Sequence, residues 1–204
     1  MTSAKKNHPP LTRETILGAA IGLFQQRGFS GLGMRQIADC LQIKAPSLYH
    51  HFTSKEDLAR QALQLYREEQ GTRLRAIGAT GDVSEQLQMY AELFAAMLND
   101  GNRPCMYLML VREPSFQEPA CVDELRLFVK QNVDWLEGIL RVGNDSLRLP
   151  GGIGERDLAE TIFASFEGIM AVSLVDAIPA AAFREKANNV LKLVLGSAIS
   201  RPAQ

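Results

Sequence analysis

From Thr12 onward the apolar residues recur every three to four positions and strict alternation is scarce, so the chain reads as helix nearly throughout. Ile16, Leu17, Ala20, Leu23 and Phe24 make one stripe between Thr12, a suitable N-cap, and Gly28, a suitable stop. A second short helix is predicted over 34–41, burying Ile37, Ala38 and Leu41. A third is predicted over 46–51, with Pro46 at its first position, where no amide hydrogen is needed. Ser54, with Asp57 three residues on, opens a long helix carrying Leu58, Ala62 and Leu65 that is expected to fade between Gly71 and Gly81. Five more helices are predicted near 82–99, 104–112, 118–142, 155–177 and 180–199, parted by polar, glycine and proline joints. The fold class expected is all-α.

The stretch from Gln36 to Phe52 carries the most specific chemistry. Two short helices joined by about four residues can brace each other so that the second projects its N-terminal end into a DNA major groove. Ile37, Ala38, Ile43, Leu48 and Phe52 can supply the shared core. That leaves Lys44, Ala45, Ser47, Tyr49, His50 and His51 outward, groups suited to base edges and phosphates. Charge agrees. Residues 1–60 hold eight basic side chains against four acidic ones and the remainder fourteen against nineteen, so a net charge of −1 hides a basic end on an acidic body.

Here the segment Thr12 to Leu58 resembles the DNA-binding domain of the tetracycline-repressor (TetR) family. The matching pieces are Ile16 with Ala19-Ala20 and Leu23-Phe24, then Arg27-Gly28-Phe29, Ile37-Ala38, Leu48-Tyr49-His50-His51-Phe52 and Ser54 to Leu58. The resemblance implies an N-terminal three-helix helix-turn-helix DNA-binding domain, 1–56, and a C-terminal helical effector-binding and dimerisation domain, 57–204. It implies a sequence-specific transcriptional regulator, a repressor released from its operator by a small-molecule or thiol-reactive effector. The alternative is a helical adaptor or co-activator of the same fold acting through protein contacts. Its partners would be a double-stranded DNA operator, a small-molecule effector and a second copy of itself as a homodimer, with no membrane and no cofactor. By the same resemblance Lys44, Ala45 and Ser47 would face bases, while Tyr49, His50 and Lys55 would touch phosphates. Arg35 is a further phosphate candidate. Two residues depart from the family pattern: Gly33 stands where a hydroxyl cap is common, and Gln42 where the turn glycine is common.

In the body, stripes of methionine and aromatic residues could serve a pocket as well as a core. The pocket candidates are Phe94, Met97, Met109, Trp135 and Phe163, with Tyr90, Tyr107, Asn132 and Glu167 as polar groups that would orient a ligand. Cys105 joins them as a candidate sensor, because a helix start and neighbouring Arg103 would favour its thiolate. Cys40 is expected in the reader's core. The last two helices suggest a dimer interface through Phe166, Ile169, Met170, Leu191 and Leu195, with Ala164, Gly168 and Ala171 permitting close approach. All three histidines fall within the first 51 residues, and no nucleophile elbow, phosphate loop or HExxH motif occurs, so neither an enzyme nor a metal site is expected. Three cysteines outside any CxxC pair, a polar N-terminus and the lack of a long apolar run suggest a cytoplasmic protein.

Overall fold

A computed structural model describes residues 12–143 and 153–196, the side chains of 194 and 196 excepted. Residues 197–199 of the last expected helix and most of the joint before 153 lie outside the described residues. Among those described there are nine helices and no strand. They are α1 (Arg13–Arg27), α2 (Met34–Cys40), α3 (Ala45–His51), α4 (Lys55–Gly78), α5 (Val83–Asn99), α6 (Met106–Leu110), α7 (Pro119–Val142), α8 (Glu155–Ser173) and α9 (Pro179–Gly196).

The expected caps form. Thr12 Oγ1 accepts from Thr15 N at 3.2 Å, and Gly28 closes α1 with φ 69° and its N–H on Phe24 O. Ser54 Oγ accepts from Asp57 N at 3.1 Å, while Asp57 Oδ2 accepts from Thr53 N at 3.1 Å. Burial alone would push the Asp57 carboxyl up, but hydrogen bonds from Gln61, Thr53 and Arg60 outweigh it and hold the group below its ordinary range.

α4 ends at Gly78, inside the expected interval, and Gly71 within it serves a helix crossing. A Cβ there would meet the Gln131 carboxamide at 3.1 Å, and Gln131 Nε2 donates to Arg67 O at 2.9 Å, locking α4 against α7. Arg67 and Glu124 pair across the same crossing at 2.5 Å. At its other end α4 packs on α1 through Leu58, Ala59 and Ala62, so it belongs to the cores of both reader and body. Around it the body pairs α5 with α9, α7 with α8, and α8 with α9. Arg156 at the start of α8 binds Asp134 and Glu137 of α7 as well as Glu160 of its own helix. α8 stops at Ser173, four residues short of expectation, and Leu174 caps it. Among the described residues no helix is long and apolar enough to cross a membrane.

Candidate nucleic-acid interface

The turn between α2 and α3 decides how α3 is presented. Gln42 adopts the left-handed conformation (φ 56°) that glycine takes without penalty. The Gln42 N–H then reaches Asp39 O, and the Ile43 N–H reaches back to Ala38 O, both at 3.0 Å, which satisfies the last carbonyls of α2 and folds Ile43 onto the core. Gly33 caps α2 by offering its N–H to Gln36 Oε1 at 2.7 Å. Gln36 is a positioning residue that sequence reasoning passed over.

With the turn set, Leu48 and Phe52 are fully buried while Lys44, Ser47, His50 and His51 are exposed and Tyr49 is half exposed. Ala45 is partly buried under this row. Arg35 is exposed near the start of α2. Lys44, Ser47, Tyr49, His50 and His51 make a polar face on α3, braced from behind by Leu48 and Phe52, with Arg35 exposed on the neighbouring α2; such an arrangement lets side chains reach base edges while flanking groups meet phosphates.

Lys55 is different. Its Nζ donates to Phe29 O at 3.1 Å and lies 3.9 Å from the centre of the Phe29 ring. One of the three ammonium N–H groups is thus spent on the turn after α1, which gives Lys55 a structural contact besides any it makes to DNA. Cys40 departs from expectation: it is exposed, with Arg27 Nη1 3.9 Å from its sulfur, and it lines a groove of about 240 Å³ floored by Gly18, Ala19 and Gly22 of α1.

The reader is gripped by the segment around α6. Glu113 Oε1 accepts from the backbone N–H groups of Phe29 (3.2 Å) and Ser30 (3.3 Å), and Glu113 Oε2 accepts from Ser30 Oγ at 2.6 Å. Gln25 Nε2 donates to Pro104 O at 2.9 Å, and the rings of Phe29 and Phe116 meet at 5.5 Å. No local signal marks Glu113, because its partners lie in another domain.

Inside the body, Tyr90, Phe94, Cys105, Asn132, Phe163 and Glu167 are buried, and Met97, Tyr107 and Trp135 are partly so. Most converge. Tyr90 meets Phe94 and Trp135, each at 5.3 Å between ring centres, and its hydroxyl donates to Asn132 Oδ1 at 3.0 Å. Tyr107 stacks on Phe128 at 5.5 Å and contacts Phe163. Met109 lies elsewhere, beside Gly28 under the reader.

The sensor reading of Cys105 fails on burial. The residue is 1% exposed, and desolvation followed by the nearby Glu167 charge pushes its thiol well above the ordinary value. Arg103 does not help it: that guanidinium pairs with Asp100 at 3.2 Å and lies over Gly22 of α1. Cys121 is buried too, and burial pushes it up to about 11.

Phe166, Met170 and Leu191 are buried within the single chain, so these expected interface residues serve its own core, Phe166 contacting Phe94 and Phe183. Ile169 and Leu195 are partly buried. The outward face of α8 carries Ala164, Gly168, Ala171 and Val172, the last 58% exposed, and a Cβ at Gly168 would meet nothing within 4 Å.

Residues 16–62 match the sequence profile described as bacterial regulatory proteins, tetR family. Over 69 residues the chain is 38% identical to the transcriptional repressor KstR2 of Rhodococcus jostii, covering 34% of each protein, so this chain matches only about a third of that relative's length. Along most of its length the chain is similar to the crystal structure of a TetR family transcriptional regulator from Agrobacterium tumefaciens, with 26% identity, 89% of this chain and 96% of that one covered, and a TM-score of 0.80. It is similar in fold to the regulator CifR, solved as a cysteine mutant with 26-base-pair operator DNA, with 23% identity, coverage of 91% and 98%, and a TM-score of 0.74.

Proposed function

The chain belongs to the TetR family, and from that premise we propose that it is a sequence-specific DNA-binding transcriptional regulator, a dimeric repressor that leaves its operator when a small effector occupies the body. The observation that carries this reading is the exposed row Lys44, Ser47, Tyr49 and His50 on a helix whose opposite side is buried. Lys44, Ala45 and Ser47 face bases; Arg35, Tyr49 and His50 hold phosphates. The reader is 1–56, the effector and dimerisation domain is 57–204, and the protein works in the cytoplasm without catalysing a reaction.

The dimer forms through the outward stripe of α8, where small residues allow close helix approach and Val172 supplies apolar area. Two readers held by such a pair meet successive major grooves one DNA turn apart, about 34–36 Å. The effector favours another spacing. Moving nearly all molecules from one state to the other requires a preference of roughly 5.5 kcal/mol. The Glu113 bracket ties the segment around α6 to the turn after α1, which gives movement in the body a direct hold on the reader.

A mobility-shift assay with the DNA upstream of the protein's own gene tests the reading. A retarded complex that survives excess unrelated DNA, and changes sequence preference with Ser47→Ala, is expected. Equal retardation of unrelated DNA would refute sequence-specific binding.

A further inference from the structure

The interior of the body holds hydrogen-bonding capacity that its own side chains leave unused. Glu167 on α8 is 6% exposed, and among the described residues no nitrogen or oxygen donor meets either carboxylate oxygen; its neighbour is the weak thiol donor of Cys105. Gln70 on α4 spends its Nε2 on Asn132 Oδ1 (2.8 Å) and leaves its buried Oε1 unpartnered. The hydroxyls nearby are committed. Tyr66 donates to Met97 Sδ at 2.8 Å, with Cys105 Sγ at 3.7 Å, and Tyr90 donates to Asn132. What remains is acceptor capacity on Gln70 of α4 and Glu167 of α8, most of it on the acid, while the buried hydroxyl of Ser173, the last residue of α8, is also unpartnered. A buried acceptor without a donor is costly, and a buried carboxylate without a cation more so.

The surrounding side chains are aromatic. Tyr90 stacks on Phe166 at 5.7 Å and meets Trp135, and Tyr107 continues the surface through Phe128 and Phe163. The Glu167 charge acts on Tyr66, Tyr90, Tyr107 and Cys105, none of which is cationic. Tyr107 is partly exposed on the five-residue α6, so the aromatic surface reaches solvent there. Ring faces around a buried acid attract positive charge for the same electrostatic reason as the acid itself.

We infer that the effector is an organic cation, an amine on an apolar or aromatic skeleton, whose ammonium is received by the Glu167 carboxylate. This rests on the reading of the chain as an effector-controlled regulator. Burial pushes the Glu167 carboxyl up to about 7, against a hydrogen bond from Cys105. In neutral solution a share of the molecules therefore carries the protonated acid. When an ammonium ion binds those molecules, Glu167 gives up its proton to solvent, and the site keeps one carboxylate paired with one ammonium.

The test compares three probes on one skeleton, 4-phenylbutylamine, 4-phenylbutanol and 4-phenylbutyrate, by thermal shift and by calorimetry at pH 7 in two buffers of different ionisation enthalpy. The amine is expected to stabilise the wild-type protein more than the other two and to release a fraction of a proton on binding. Glu167→Gln is expected to weaken the amine at least tenfold and abolish the proton release. Equal stabilisation by the three probes, stabilisation by none, or a preference for the acid or the alcohol would overturn the inference. If Glu167→Gln does not fold, the three-probe comparison and the proton count on the wild-type protein decide alone. Operator retardation by the unliganded wild-type protein is measured in parallel. Retardation without amine preference removes this inference and leaves the regulator reading, whereas no sequence-specific retardation removes the reading itself.

Discussion

Glu113 offers the sharpest test of how reader and body are joined. Replacing it with alanine removes one carboxylate that accepts two backbone N–H groups and the Ser30 hydroxyl, at 3.2, 3.3 and 2.6 Å. A hydrogen bond to a charged group contributes about 1.5–3 kcal/mol when well sheltered. Here the three share one acid and Ser30 is exposed, so water replaces part of what is lost. Glu113→Ala should therefore cost about 2 kcal/mol in all, with a fall in melting temperature of about 4–8 °C at this chain length. Ser30→Ala removes only the hydroxyl bond and should cost about 1 kcal/mol. In a double-mutant cycle by urea denaturation the two changes should couple by about 1 kcal/mol. The same Glu113→Ala protein should bind operator while responding less to effector, since the grip on the turn after α1 is gone. An unchanged melting temperature, or strictly additive effects with Ser30→Ala, would refute the argument.

Gln42→Gly relieves a left-handed non-glycine residue and should raise stability by about 1 kcal/mol with operator affinity retained, as read by thermal denaturation and fluorescence anisotropy. Lys55→Ala should lower the melting temperature but leave the salt dependence of operator binding unchanged, because its ammonium is held at Phe29. Arg35→Ala should instead flatten that salt dependence by about 0.9 per lost phosphate contact. For Glu167 the folded pKa of about 7 lies above the usual carboxylate value of 4.5, so the folded state binds more protons between them and stability falls as pH rises through that window. Glu167→Gln should then be more stable than wild type at pH 8, by on the order of 3 kcal/mol, with the gain vanishing near pH 4; a gain independent of pH would refute the assignment.

Helix positions were legible because apolar period, caps and breakers are local, and Thr12, Ser54 and Gly28 act within a few residues of themselves. The reader was legible for the same reason: one short segment supplies both its core and its exposed row. What failed depends on distant partners. Cys105 reads as an activated thiol until Tyr66 and Glu167 close over it. Phe166 and Met170 form an apolar stripe, but period alone does not say whether a stripe faces its own chain or a second copy, and here α5 and α9 cover it. The contact of Lys55 with Phe29 has no local signal, because Phe29 is far back along the chain.

The central claim is that two copies of the ridge on α3 read one operator together. Hydroxyl-radical footprinting on the DNA upstream of the protein's gene tests it most directly. The account predicts two protected patches on the same face of the duplex, their centres about one helical turn apart, lost together when Ser47 and Tyr49 are replaced by alanine. Protection of a single asymmetric half-site, or a footprint that persists in the double mutant, would contradict it.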